Sequence, residues 1–134
     1  MYDLALYGHL TFDRIYDGNR KNSTVGSIGN VWKFINKENP NLKISIEPTD
    51  FGEALIMVDR QKGERASVAN LSQTNRHPLI KASRWSHILY LNELSDASFI
   101  FEINQGIVSA DLCKGKMLII CSFQTRIFSR AQLR

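Results

Sequence analysis

Residues 4–13 read LALYGHLTFD, and this stretch decides the fold class. Leu4 to Tyr7 form a short apolar run that Gly8 ends, which is typical of a buried strand opening a parallel sheet. Asp13 follows five residues after Gly8. Because open α/β sheets bind ligands at the carboxyl ends of their strands, the sequence predicts that Asp13 lies at a ligand-binding edge.

Extended and helical patterns alternate along the rest of the chain. Val31, Phe34 and Ile35 are at helical spacing, and this helix should end before Asn39-Pro40. Short apolar or alternating runs predict further strands at 42–46, 54–58, 66–69, 88–91, 107–110 and 117–120. Two more helices are predicted at 78–84 and 96–106, and a turn or loop at 17–24.

Strands that alternate with helices indicate βαβ units. We therefore predict an α/β fold with a mainly parallel sheet and helices on its faces. The strands at 54–58 and 66–69 form a projecting β-hairpin, because residues 61–64 between them include Gly63 and supply turn chemistry.

Composition places this chain of 134 residues among single globular domains, with 43% hydrophobic and 22% charged residues. The longest apolar runs, Ala54–Val58 and Met117–Cys121, are far shorter than the roughly 18 residues that indicate a membrane span. No membrane partner is expected. An acid at Asp3 and the lack of a cleavage site argue against a secretory signal, so a cytoplasmic location is predicted.

Potential metal ligands are few. The two cysteines, Cys113 and Cys121, form neither a disulfide framework nor a zinc pattern. His9, His77 and His87 lie in neither metal-binding nor triad spacing, and we expect them to be packing or surface residues.

The net positive charge of the chain comes from its last 23 residues. Residues 1–111 carry 12 Lys or Arg and 13 Asp or Glu, whereas residues 112–134 carry five basic residues and no acid. Arg126, Arg130 and Arg134 recur every four residues and would share one side of a helix. Such a tail is either a solvated terminal helix or a contact for an anionic partner, and nucleic acid is not the expected partner.

Two features offer binding chemistry. A carboxylate such as Asp13 accepts hydrogen bonds from two neighbouring hydroxyls, which is a natural way to hold a sugar. The segment VGSIGN at 25–30 is a small-residue turn before a helix. Gly26 allows close backbone approach and Asn30 offers a donor and an acceptor, although the turn lacks a dinucleotide fingerprint and a phosphate-loop lysine.

The order of these features resembles the ribokinase-like carbohydrate kinases, the PfkB family. The resemblance covers most of residues 3–120, including Gly8 and Asp13, the turn at 26–30, FGEALIMVD at 51–59, GER at 63–65, WSHILYL at 85–91 and VSAD at 108–111. It implies a ribokinase-like, Rossmann-type three-layer sandwich in which hairpin strands at about 42–70 form a lid over the substrate. It also implies that the sugar or nucleoside hydroxyls are held by Asp13, Gly26, Ser27 and Asn30.

Departures from the family limit what the resemblance implies. Val25 stands where the family has the first glycine of a pair. The nucleotide site and catalytic aspartate of the family belong to its C-terminal half, which lies beyond this chain. We therefore expect a partial kinase domain at 1–121 without kinase activity of its own, and a basic tail at 122–134. ATP and Mg²⁺ are implied only for a full-length member, and no cofactor is expected here.

Two alternatives stay open. The chain is a non-catalytic sugar-binding module whose lid strands pair with a second copy, because exposed strand edges readily pair. Otherwise it is a small basic protein that binds an anionic partner through its tail.

Overall fold

The computed structural model describes residues 1–72 and 77–112, together with the backbone of 116–120. Over these residues the chain forms one α-helix, α1 (Ile28–Glu38), and two 3₁₀ helices, Leu91–Glu93 and Ser98–Glu102. It forms seven strands: β1 (Tyr2–Asp17), β2 (Arg20–Ser27), β3 (Ile44–Asp59), β4 (Glu64–Ser72), β5 (Ser83–Ile88), β6 (Ile107–Leu112) and β7 (Lys116–Ile120).

All of these strands belong to one mixed sheet. Its order is β4-β3-β1-β5-β6-β7, with β2 paired to β1 outside this path. The four central strands β3, β1, β5 and β6 are parallel, whereas β2, β4 and β7 are antiparallel to their neighbours. The predicted α/β class, with a parallel centre and a projecting hairpin, is confirmed.

Strand β1 belongs to two parts of this sheet. Its first half, up to Tyr7, pairs with β3 and β5. Its second half, from Leu10 to Asp17, pairs with β3 and β2. The second half therefore lies in a four-stranded extension, β4-β3-β1-β2, which we call the lid sheet.

The lid sheet contains more strand than the sequence pattern indicated. Residues 44–59 form one continuous strand. Gly8 pairs with Pro48 and His9 pairs with Asp50, so a register shift at this point lets the strand continue past the proline. Residues 20–27 form β2, so the loop predicted at 17–24 is wrong there. Most of β2 is solvated, and its polar residues therefore show no apolar alternation.

Of the two further helices predicted, the one at 78–84 is wrong and the one at 96–106 is much shorter than predicted. Residues 77–82 have no helix, and β5 begins at Ser83. The segment at 96–106 forms only the 3₁₀ helix Ser98–Glu102, whose N-cap is Ala97 and not the predicted Asp96. Asp96 instead accepts a hydrogen bond from the amide of Ser98 at 2.8 Å. The helix ends at Glu102 and not at the predicted stop Gly106, which has φ +78° and lies just before β6.

Apolar side chains cover both faces of the central sheet. On one face Tyr7 packs against Phe99 with ring centroids 5.3 Å apart, within a cluster formed by Ala5, Ile88, Ile100, Ile103, Val108 and Ala110. On the other face α1 contributes Ile28, which packs with Leu6 and Leu89. The sheet therefore lies between α1 and the 3₁₀ segments, in three layers.

Several predictions fall outside the described residues. Cys113, Cys121 and the basic tail at 122–134 are among them. Within the described part of the chain, no helix has the length and apolar character needed to cross a bilayer.

His87 takes part in a hydrogen-bond chain on the α1 side of the sheet. Trp85 Nε1 donates to Ser109 Oγ at 2.7 Å, and Ser109 Oγ lies 2.7 Å from His87 Nδ1. The serine hydroxyl accepts from the indole and can still donate to Nδ1 or accept from it, so the tautomer of the imidazole sets the direction of that bond. Burial lowers the pKa of His87, and the Asp111 carboxylate partly offsets this effect.

We expect acid to destabilise the fold through His87. Its pKa is lower in the folded chain than the value of about 6.5 in an unfolded one, so the unfolded chain binds more protons as the pH falls. The stabilising contribution is therefore complete above about pH 6.5 and is lost as the pH falls toward the lowered pKa. Thermal unfolding across this range should show a smaller pH dependence in His87→Gln. An equal reduction in His77→Gln, at an exposed position, would contradict this assignment.

The turn between β3 and β4 yields a second prediction. Gly63 has φ +67°, and nothing lies within 4 Å of a Cβ built on it, so only its backbone conformation resists substitution. Gly63→Val should destabilise the hairpin by about 1 kcal/mol or more, whereas Gly63→Asn should be tolerated because Asn adopts this conformation more readily. Amide exchange should show lost protection in β3 and β4 only. A uniform loss of amide protection across the whole sheet would contradict this prediction, because the hairpin would then be part of the cooperative core.

Candidate functional site

Three polar side chains of β1 form the floor of the candidate site. His9, Thr11 and Asp13 alternate along the strand and therefore lie on one face; we call them the polar stripe. Thr11 is paired with Gly26 of β2 on one side and with Gly52 of β3 on the other. Both neighbours lack side chains, so the stripe is flanked by backbone at its centre.

Asp13 is fixed by its neighbour in the stripe. The hydroxyl of Thr11 donates to Asp13 Oδ1 at 2.7 Å. Thr11 is buried and Asp13 is half-buried. Among the contacts of the described residues, Thr11 is the one hydrogen-bond donor to Asp13, so the carboxylate retains acceptor capacity.

Gly26 is required by this geometry. A Cβ at this position would collide with both carboxylate oxygens of Asp13 and with the hydroxyl of Thr11. Any side chain at residue 26 would therefore displace the two polar groups. Ser27 follows with φ +51°, and its side chain makes no capping bond as α1 begins at Ile28.

The structure brings together only part of the predicted site. Asp13 and Gly26 are in contact range, and Ser27 is the next residue along the chain. Asn30 lies exposed in the first turn of α1, and no hydrogen bond between described residues joins it to Asp13. Sequence reasoning missed Thr11, although the alternation of polar residues in HLTFD at 9–13 contains that signal.

A buried histidine–aspartate pair lies at the inner end of the stripe. His9 Nε2 is 3.4 Å from Asp50 Oδ2, and both side chains are 3% exposed. The hydroxyl of Thr49 also donates to Asp50 Oδ2, at 3.4 Å. Asp50 Oδ1 is buried with no hydrogen-bond partner in the described structure. The predicted packing role of His9 is consistent with this burial, but the partner Asp50 was not predicted.

The main chemical property of the site is that the Asp13 carboxylate can accept hydrogen bonds. A half-buried carboxylate beside a hydroxyl is suited to neutral ligands that carry hydroxyl groups. An incoming phosphate would meet a like charge at Asp13. The described residues contain no group of three or more His, Cys, Asp or Glu side chains placed to hold a metal ion.

Neither the known protein families nor the curated proteins include a match to this chain.

Two solved structures are similar to this chain. The ribokinase of Cryptococcus neoformans var. grubii serotype A, in complex with ADP, is 12% identical, with a TM-score of 0.39 over 75% of this chain. The nucleoside kinase of Methanocaldococcus jannaschii, an archaeal member of the ribokinase family, is 12% identical, with a TM-score of 0.45 over 83% of this chain. The match covers 44% and 52% of those chains, so this chain spans about half their length.

Proposed function

We propose that this chain is the substrate-holding part of a ribokinase-like kinase and binds a sugar or nucleoside through Asp13. One observation carries the proposal. The Asp13 carboxylate and the Thr11 hydroxyl lie over Gly26, at a position where no side chain fits. A ligand hydroxyl that donates to Asp13 would gain a charge-assisted hydrogen bond in a half-buried site.

The neighbouring groups complete the proposed contacts. Ser27 offers a hydroxyl next to Gly26, and Asn30 offers an amide in the first turn of α1. Both groups donate and accept, which matches a polyol better than a cation or an anion. The ligand class is therefore a polyhydroxylated neutral molecule.

Phosphoryl transfer would require parts that the described residues do not supply. It depends on positioning the phosphates and stabilising their charge. The resemblance assigns ATP and Mg²⁺ to a full-length kinase. We therefore propose that residues 1–121 hold the acceptor substrate and that transfer needs a nucleotide-binding half.

Removal of the carboxylate tests the proposal directly. Asp13→Ala should weaken binding of a sugar or nucleoside by at least roughly tenfold, because a charged hydrogen bond contributes about 1.5–3 kcal/mol. Gly26→Ala should weaken it as well, because the added methyl displaces both polar groups. Calorimetry with a panel of pentoses, hexoses and nucleosides would measure both effects.

Asp17→Asn is the matched control. Asp17 lies at the far end of the same strand and pairs with Arg60, away from the stripe. Its substitution should leave ligand affinity unchanged. Unchanged affinity in Asp13→Ala, or no binding of any panel member by the unmodified chain, would refute the proposed function.

A second candidate function rests on the opposite face of the lid sheet. Phe12, Leu55, Met57 and Val68 share that face, and Met57 and Val68 are 58% and 72% exposed. Exposed apolar groups that lie together mark interaction surfaces. We propose that this face pairs with the same face of a second copy, which a two-fold axis permits.

A charge placed on this face should prevent the association. Met57→Glu should shift the chain toward monomer in sedimentation experiments, because pairing would bury an unpaired carboxylate. Gln61→Glu adds the same charge in the nearby turn and should leave the association unchanged. A chain that is monomeric before substitution, or two variants with equal effects, would contradict the dimer.

A further inference from the structure

The face of the lid sheet that carries the polar stripe continues beyond Asp13 as an apolar surface. Asp13 pairs with Ala54 on β3, and in the next row outward Ile15 pairs with Ile56. Directly paired residues share a face, and so do residues two apart along one strand, so all four side chains lie on the same face. We call Ile15, Ala54 and Ile56 the apolar floor. It lies beside the carboxylate to which the proposed function assigns a ligand hydroxyl.

The apolar floor is recessed compared with the opposite face of the lid sheet. Ile56 is 6% exposed, whereas its neighbours Leu55 and Met57, which point the other way, are 43% and 58% exposed. Ile15 and Ala54 are half-buried. Among the described residues, Ile56 belongs to neither apolar cluster of the central sheet, so its burial does not come from the core. A recessed apolar surface beside a few polar groups is typical of small-molecule sites.

The apolar floor lies within reach of a ligand bound at Asp13. Neighbouring strands are about 4.8 Å apart and alternate residues of one strand about 6.6 Å apart, so the backbones of Ala54 and Ile15 lie at roughly these distances from that of Asp13. In the inward direction the next side chain of the stripe is Thr11, which is polar and buried. The site is therefore polar on its inner side and aliphatic on its outer side.

These two sides require different chemistry from one ligand. A hexose carries hydroxyl groups around its whole ring, so binding at Asp13 would leave some of them over aliphatic side chains without hydrogen-bond partners. A sugar with a planar ring as its substituent places hydroxyls at Asp13 and a face without hydroxyls over the apolar floor. A phosphate in the place of that ring would be repelled by the carboxylate.

We propose that the site selects a nucleoside over a free sugar, with the sugar hydroxyls at Asp13 and the base over Ile15, Ala54 and Ile56. This inference rests on the proposed function, because it assigns the second part of a ligand whose first part Asp13 holds. The three side chains of the floor are aliphatic, so the base gains affinity by apolar contact and not by hydrogen bonds. The site should therefore accept different bases but require a ring.

A ligand series measured by calorimetry on the unmodified chain tests the proposal. The series consists of D-ribose, methyl β-D-ribofuranoside, adenosine, uridine and the riboside that carries a phenyl ring in place of a base. The three ligands with a ring should bind at least roughly tenfold more tightly than the methyl riboside, because burial of about 60 Å² of apolar area suffices for this gain. The phenyl riboside should bind comparably to the nucleosides, since it keeps the ring and lacks hydrogen-bonding groups on it.

Ile15→Thr is the variant that separates the two sides of the site. Threonine keeps the β-branched shape and adds a hydroxyl to the floor. It should weaken binding of the three ligands with a ring and leave the affinity for methyl riboside unchanged. Leu55→Thr, on the opposite face of the same sheet, is the matched control and should leave every affinity unchanged. Far-UV circular dichroism identifies a variant that does not fold, and Ala54→Ser then replaces Ile15→Thr.

The outcomes distinguish this inference from the proposed function. Equal affinities across the series, all lost in Asp13→Ala, would overturn the selection of a nucleoside and leave the sugar site intact. A hexose that binds more tightly than adenosine, or equal effects of Ile15→Thr on methyl riboside and adenosine, would do the same. Nucleoside binding that Asp13→Ala does not weaken would overturn both, because the ligand would then lie elsewhere.

Discussion

The structure depends on the backbone of β1 as it passes Gly8. At this residue φ is +144°, and a Cβ would lie 2.9 Å from the carbonyl oxygen of Leu89 and 3.1 Å from Ile28. The amide of Leu89 bonds to the carbonyl of Tyr7 at 2.9 Å, so β5 approaches β1 closely just before this point. Glycine permits both the backbone conformation and the close contact. Beyond it β1 leaves β5 and continues into the lid sheet.

This continuation of β1 creates the candidate site. Strand periodicity places Thr11 and Asp13 on one face, and the pairing with β2 brings Gly26 beneath them. The buried pair of His9 and Asp50 holds β1 to β3 at the base of the lid. The site is thus built on paired strands, whose positions vary less than those of loops.

The same periodicity separates the two surfaces of the lid sheet. In the lid sheet, residues 9, 11 and 13 of β1 face the candidate ligand site, whereas even-numbered residues such as Phe12 face the exposed apolar surface. Substitutions on one face should therefore leave the other intact. An apolar groove beside α1 continues the second face toward the central sheet, where Leu4 and Leu6 line it.

The α/β class, the opening strand, α1 and the β3–β4 hairpin could all be predicted from the sequence, because apolar periodicity and turn residues encode local structure. The sequence also identified Asp13 and Gly26 as candidates. The strand at residues 20–27 could not be predicted, since most of those residues are polar and are held extended by their pairing with β1. Contacts between segments distant in sequence also paired His9 with Asp50 and His87 with Ser109. Such pairings depend on strand register, and no local pattern in the sequence records the register of two strands that are far apart.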